Sequence, residues 1–304
     1  MRLSIISAAF AIVTAFVTPA SAERLTDAPL VDAAWLQDHL GSDGLIVIDT
    51  RAPSNSANPY TEGHIPGAIW APYGKFGWRA TVNGVPGQLP AIPEIEGRIK
   101  SLGINDDTQV VIVPAGASSS EFGAATRVYW TFKVLGHDNV TILDGGMRDW
   151  QAADGALETE IVIPQQAGNF TADFRPQYYA STEDVAAAGT NGVKLVDGRP
   201  VEQFEGKAKS PVVRAPGTIP GAINLPQSRF YNAETARFVN KNEARSLAAD
   251  AGLSGNDETI AFCNTGHWAS IAWFGLSEVD GKENVKMYDG SLAEWAADES
   301  RPLE

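Results

Sequence analysis

The chain has 304 residues, with 23 Lys and Arg against 37 Asp and Glu, a formal net charge of −14 at pH 7, and one cysteine. That length accommodates two ordinary domains, and the acidity without any basic run argues against nucleic acid or an anionic membrane surface as a partner. A single cysteine excludes an internal disulfide and a Cys-x-x-Cys oxidoreductase, which needs a second, resolving thiol.

Met1-Arg2, the apolar run 3–17 and the small residues Ala20-Ser21-Ala22 predict a secretory signal peptide over residues 1–22, cleaved before Glu23. No twin arginine precedes the apolar run, so the Sec route is expected. The mature chain is then periplasmic or secreted, with no membrane contact after cleavage. Residues 31–40 place Val31, Trp35, Leu36 and Leu40 on one side of a helix. Leu45 to Ile48 is a buried strand that ends at Asp49-Thr50-Arg51, and Gly63-His64-Ile65-Pro66-Gly67-Ala68-Ile69 follows a polar loop. Residues 72–92, rich in Gly and Pro, predict a long loop. A helix is expected over 93–102, a strand over 109–113, a loop over 114–120 and a helix over 122–135. A strand over 140–143 then leads through Asp144-Gly145-Gly146 to a short helix ending near Trp150.

The second half predicts the same order. A helix over 182–188 is capped by Ser181 or Thr182, and a strand over 193–196 ends at Asp197-Gly198-Arg199. Gly217-Thr218-Ile219-Pro220-Gly221-Ala222-Ile223 comes next, then a helix over 241–251 and a strand over 259–262. After that strand come Cys263-Asn264-Thr265-Gly266-His267-Trp268 and a helix from Ala269. A strand over 285–288 and Asp289-Gly290-Ser291, turning into a helix with Trp295, complete the repeat. Three landmarks match in order: Asp49-Thr50-Arg51 with Asp197-Gly198-Arg199, Ile65 to Ile69 with Ile219 to Ile223, and Asp144-Gly145 with Asp289-Gly290, each of the last pair followed by a Trp. The unit is too long for a solenoid repeat, so the chain is a duplicated domain. The halves are drawn at 23–165 and 178–304, with a linker at 166–177 inside the polar stretch that joins them. Strands alternating with helices imply an α/β fold, each domain a mostly parallel sheet covered by helices on both faces.

Such sheets bind ligands at the carboxyl ends of their strands, and Cys263 stands at such an end. Backbone N–H groups of a loop turning into a helix can converge on one anion and favour a thiolate. The other reading of a lone cysteine is a buried structural thiol. Taken together and in order, these motifs resemble the rhodanese family in its tandem two-domain form, of an exported type. The resemblance implies a sulfurtransferase in which Cys263 carries sulfur as a persulfide, with a catalytic second domain and an inactive first, whose loop over 114–120 lacks cysteine. It implies a small-molecule sulfur donor such as thiosulfate or 3-mercaptopyruvate, an acceptor that is cyanide, a small thiol or a protein thiol, and neither a cofactor nor a metal. Asn264, Thr265, Gly266, His267 and Trp268 are the candidate persulfide and substrate cradle; Arg199 reads either as a substrate-binding candidate or as a structural ion-pair partner of an acid such as Asp197 or Glu202, and Arg214 is a further candidate. His267 reads either as a cation, which needs a pH below about 6.5, or as a neutral ring bonded to the backbone. Thiosulfate-using relatives carry positive charge where this chain has Thr265 and Gln203, so their cationic pocket is not reproduced. A cysteine phosphatase or arsenate reductase needs an arginine six positions after the cysteine, where Ala269 stands. A module that stores sulfur or selenium on Cys263 without turnover is the remaining alternative.

Overall fold

The computed structural model describes residues 24–304 apart from 55, 254 and 256. The expected signal peptide, 1–22, lies outside the described residues. The first half contains β1 (Leu30–Val31), β2 (Leu45–Asp49), β3 (Ile69–Trp70), β4 (Ala80–Val82), β5 (Val85–Gln88), β6 (Gln109–Val113) and β7 (Val140–Leu143). The second contains β8 (Tyr179–Ala180), β9 (Lys194–Asp197), β10 (Ile223–Asn224), β11 (Tyr231–Asn232), β12 (Arg237–Phe238), β13 (Thr259–Phe262) and β14 (Val285–Tyr288). One sheet runs β1-β7-β6-β2-β3 and the other β8-β14-β13-β9-β10, with every neighbouring pair parallel. The two orders are the same once each strand is replaced by its counterpart, so the repeat in the sequence is a repeat in topology. β6 is buried at all five positions, which is why its run Gln-Val-Val-Ile-Val shows no alternation.

Local chemistry sets the helix ends. Ser181 and Asp184 form a reciprocal capping box before the helix Thr182–Asn191, which stops at Gly192 in the left-handed conformation. Asn240 and Glu243 do the same for Lys241–Asp250. Ser118 caps the 16-residue helix Ser119–Val134, whose side chain oxygen accepts from the Glu121 N–H. That helix is buried almost all round. One side lies on β6 and β7 and the other on the helix His267–Trp273 of the second half. One continuous hydrophobic core therefore crosses between the domains, with Phe122, Tyr129 and Phe132 packed in the same cluster as Ile271, Trp273 and Phe274. Each sheet's outer face has a separate, smaller cluster.

Two segments differ from the expectation. The stretch expected as a long loop, 72–92, contains the antiparallel hairpin β4–β5. Its strands are short and include Pro86 and Gly87, which hide the period of two. The stretch drawn as a linker, 166–177, is laid along the first domain. The N–H groups of Gly168, Phe170, Asp173 and Arg175 donate to the carbonyls of Lys100, Ile104, Leu135 and Val134, and Phe170 is buried.

Candidate active site

Cys263 follows the last residue of β13, is 1% exposed, and forms no disulfide. Its loop is held from behind by Ser291, whose hydroxyl oxygen accepts from the N–H groups of Cys263 (3.1 Å) and Gly266 (3.0 Å) and donates to the Tyr288 carbonyl (2.9 Å). The Leu292 and Ala293 N–H groups donate to the Cys263 and Asn264 carbonyls at 3.0 and 2.9 Å. These contacts commit the Cys263 and Asn264 carbonyls to hydrogen bonds with the segment that follows β14. Gly266 adopts φ +75°, and a Cβ there would overlap the Arg127 guanidinium and the Asp289 carbonyl. Only glycine meets both demands.

The thiol lines a cavity of about 620 Å³. More than half of the residues around it belong to the first domain, among them Tyr73, Arg79, Ser120 and Glu121. Asn264, Thr265, His267 and Trp268 also line it, so the structure brings the expected loop together around one space. Asn264 donates from Nδ2 to Gln203 Oε1 (2.9 Å). Trp268 Nε1 donates to Ser120 Oγ (2.9 Å).

His267 has both ring nitrogens engaged across the domain boundary. Nε2 lies 2.8 Å from the Ser120 carbonyl and Nδ1 lies 3.0 Å from the Tyr73 hydroxyl. A carbonyl only accepts, so the proton sits on Nε2, and Nδ1 accepts from Tyr73. Burial, followed by the charges of Arg79 and Arg127, lowers the His267 pKa to about 4. The ring is therefore neutral at pH 7, and of the two sequence readings the structure selects the neutral one. Burial pushes the Tyr73 hydroxyl pKa up, so it stays a donor.

The missing cation comes from an unexpected place. Arg79 stands at the base of the β4–β5 hairpin and reaches the Cys263 loop. Its Nη2 donates to the Thr265 carbonyl (2.9 Å), Nη1 to Tyr73 Oη (3.2 Å) and Nε to the Gly87 carbonyl (2.9 Å). Nothing in the sequence flags Arg79, because 186 residues separate it from Thr265.

Of the two readings of Arg199, the structure shows the ion pair with Asp197 and does not place the side chain in the cavity. It is fully buried, its Nε and Nη2 are bonded to the Asp197 carboxylate, and Nη2 also donates to the Gly217 carbonyl at 2.9 Å. It fastens the loop after β9 and does not line the cavity. Arg51 does the same in the first domain with Asp49 and Gly63. Arg214 donates to the Ala296 carbonyl (2.6 Å) and is also outside the cavity lining. His64 is buried, stacked on Tyr60, with Nδ1 against the Tyr60 carbonyl.

In the first domain the counterpart loop follows β6. There the Glu121 carboxylate accepts from the N–H groups of Ala115 (2.7 Å) and Gly116 (3.2 Å). The position that an anion would take on that loop is filled by the protein's own side chain. Among the described residues no three His, Cys, Asp or Glu side chains are grouped to hold a metal ion.

Two parallel sheets of the same strand order, with a lone thiol at a strand end and a shared cavity at the domain junction, define a tandem α/β architecture of two like domains. The chain belongs to the rhodanese-like family: the Rhodanese-like domain matches residues 32–153 and again 182–298. A Haloferax volcanii protein named "Putative thiosulfate sulfurtransferase" is 35% identical over 289 residues, covering 90% of this chain and 96% of that protein. The 3-mercaptopyruvate sulfurtransferase of Escherichia coli is 30% identical over 285 residues, covering 90% and 97%. A crystal structure of a 3-mercaptopyruvate sulfotransferase from Escherichia coli superimposes with a TM-score of 0.74 at 27% identity, covering 87% of this chain and 98% of that one. An anaerobic ergothioneine biosynthesis enzyme from Chlorobium limicola shares the fold, with a TM-score of 0.78 at 22% identity, covering 91% and 70%. With these relatives the chain is an enzyme of the sulfurtransferase class.

Proposed function

We propose that the protein moves a sulfane sulfur from a small anionic donor to a thiophilic acceptor through a persulfide on Cys263. The observation that carries this reading is the placement of the one free thiol at the end of β13, facing a cavity. The loop carbonyls of Cys263 and Asn264 are committed to hydrogen bonds with Leu292 and Ala293. In the first step the Cys263 thiolate attacks the outer sulfur of thiosulfate. A Cys–S bond forms, the S–S bond of the donor breaks, and sulfite leaves with the electron pair. The terminal sulfur of the persulfide carries the negative charge, beside the N–H groups of Asn264 and Thr265, neither of which donates to a protein atom among the described residues. In the second step cyanide or a thiol attacks that sulfur, and Cys263 leaves as thiolate. Asn264, Thr265, Gly266, His267 and Trp268 shape the cradle, with His267 and Trp268 fixed through Ser120. With 3-mercaptopyruvate the leaving group is pyruvate enolate, which a proton from solvent converts to pyruvate. The similarity to the Escherichia coli 3-mercaptopyruvate sulfurtransferase favours testing both donors. The proposal includes export: residues 1–22, read as a Sec-type leader, would deliver the mature enzyme to the periplasm or the outside of the cell.

Cys263→Ser is expected to abolish transfer while leaving the thermal unfolding profile intact, because the side chain changes by one atom. Intact-mass spectra after incubation with thiosulfate or 3-mercaptopyruvate should show one added sulfur on the wild type and none on the variant. Transfer that survives in Cys263→Ser would refute the mechanism.

A further inference from the structure

We propose that Arg79, carried by the first domain, is the specificity-determining residue that binds the anionic end of the sulfur donor held over Cys263. The inference rests on the sulfurtransferase reading and adds the group that selects the substrate. Its chemistry is that of an oxyanion, whether the sulfonate of thiosulfate or the carboxylate of 3-mercaptopyruvate.

Among the described residues lining the cavity, the charged side chains are Arg79 and Glu121. Glu121 is turned onto the Ala115 and Gly116 N–H groups. Arg79 makes no ion pair with any described carboxylate, and all three of its hydrogen-bond partners are neutral oxygens. A guanidinium has five N–H donors, of which those bonds occupy three. A cation held in place, without a counter-ion and facing a cavity, is a site for an anion. The alternatives are committed elsewhere: Arg127 is paired with Asp289, Arg199 with Asp197, and His267 is neutral.

The hairpin is built for this placement. Gly87 has φ +89°, and a Cβ on it would overlap the Arg79 guanidinium. The fork thus lies directly on the Gly87 backbone. Tyr73 supports it, with its hydroxyl between Arg79 Nη1 and His267 Nδ1. In a protein of net charge −14, this local cation opposes the long-range repulsion of an anionic donor. When sulfite or pyruvate departs, its charge stays on Arg79 while the persulfide charge stays on the loop amides, so the two negative centres formed in the step are held by different groups.

The test uses the lone cysteine of the full-length mature protein. Cys263 is alkylated with neutral iodoacetamide and with anionic iodoacetate, which place the same leaving group on the same sulfur. In the wild type, iodoacetate is expected to be favoured relative to a free thiol. Arg79→Gln should lower the iodoacetate-to-iodoacetamide rate ratio by about tenfold or more, the loss of one charge-assisted contact, and Arg79→Lys should lose less. A distorted loop would slow both reagents together and leave the ratio alone. An unchanged ratio in Arg79→Gln and in Arg79→Lys overturns the proposal. kcat/KM with thiosulfate and with 3-mercaptopyruvate then identifies the source: the donor that uses Arg79 loses about tenfold or more in Arg79→Gln. Loss of the ratio without sulfur loading from either donor in the wild type would uphold the anion site and reject the sulfurtransferase reading.

Discussion

His267 joins the catalytic loop to the first domain as a neutral ring. Its folded pKa of about 4 lies below the ordinary value of 6.5. As pH falls through 6.5 the unfolded chain takes up a proton that the folded one refuses. The stability from this group is therefore complete above about pH 6.5 and is lost progressively down to about 4. The shift corresponds to a loss on the order of 3 kcal/mol across that window. His267→Gln, whose amide can bond to Ser120 and Tyr73 without titrating, should flatten the dependence. Urea unfolding at pH 7 and pH 4.5 would check it, and equal acid loss in both proteins would assign the effect to other groups. The reading of His267 as a cation below about pH 6.5 does not fit this environment. Cys263 was readable because it is unique and stands where a strand becomes a helix. Arg79 was not, since its partner Thr265 lies in the other half of the chain.

The two catalytic-type loops show how one element diverges after duplication. The loop after β13 keeps its cysteine, and Ser291 ties its Cys263 and Gly266 amides from behind. The loop after β6 carries no cysteine, and the Glu121 carboxylate lies on its amides. Burial raises the Glu121 pKa, only partly offset by hydrogen bonds from Ala115, Ala117 and Gly116. A raised carboxyl pKa means that the folded state holds the proton longer than the unfolded one, so ionisation of Glu121 weakens the fold as pH rises through its titration range. Glu121→Gln, which mimics the protonated form, should match or exceed wild-type stability at pH 7.5, and its advantage should shrink toward pH 4.5. Thermal unfolding at the two pH values reads this directly. A Gln variant less stable than wild type by more than about 1 kcal/mol at pH 7.5 would mean that the charged hydrogen bonds outweigh the burial. The absent cysteine was legible in the sequence, but the filled cradle was not, because it depends on where a helical side chain points.

At the scale of the molecule the domains cap each other reciprocally. Asp289, at the end of β14, accepts from the Leu89 N–H just after the β4–β5 hairpin (2.6 Å). Its counterpart Asp144, after β7, accepts from the Phe238 N–H of the β11–β12 hairpin (2.9 Å). Each hairpin thereby covers the catalytic-type loop of the other domain, which explains why the active cavity is lined by both. The landmark repeats revealed the duplication because they lie within strands and turns. The interface stayed hidden because it joins helix faces 140 or more residues apart, such as Thr126 with Ser270 and Tyr129 with Glu278. Beneath the Cys263 loop, Arg127 and Asp289 form a buried ion pair at 2.5 Å, with the guanidinium 4.7 Å from the Trp130 ring. Among the described residues the Arg127 nitrogens have no hydrogen-bond partner, so the contact is ionic and Asp289 depends on it for charge compensation. Arg127→Met leaves a buried carboxylate unpaired and should destabilise the protein by about 3–5 kcal/mol. Because one apolar core spans both domains, the unfolding should remain a single transition in the wild type and in the variant, with coincident tryptophan fluorescence and circular dichroism. Adding Asp289→Leu to Arg127→Met should recover part of the loss, since the unpaired charge is then gone. Two resolved transitions in the wild type would show that the halves fold independently. A double variant no more stable than Arg127→Met would show that the pair's contribution lies in the Leu89 hydrogen bond.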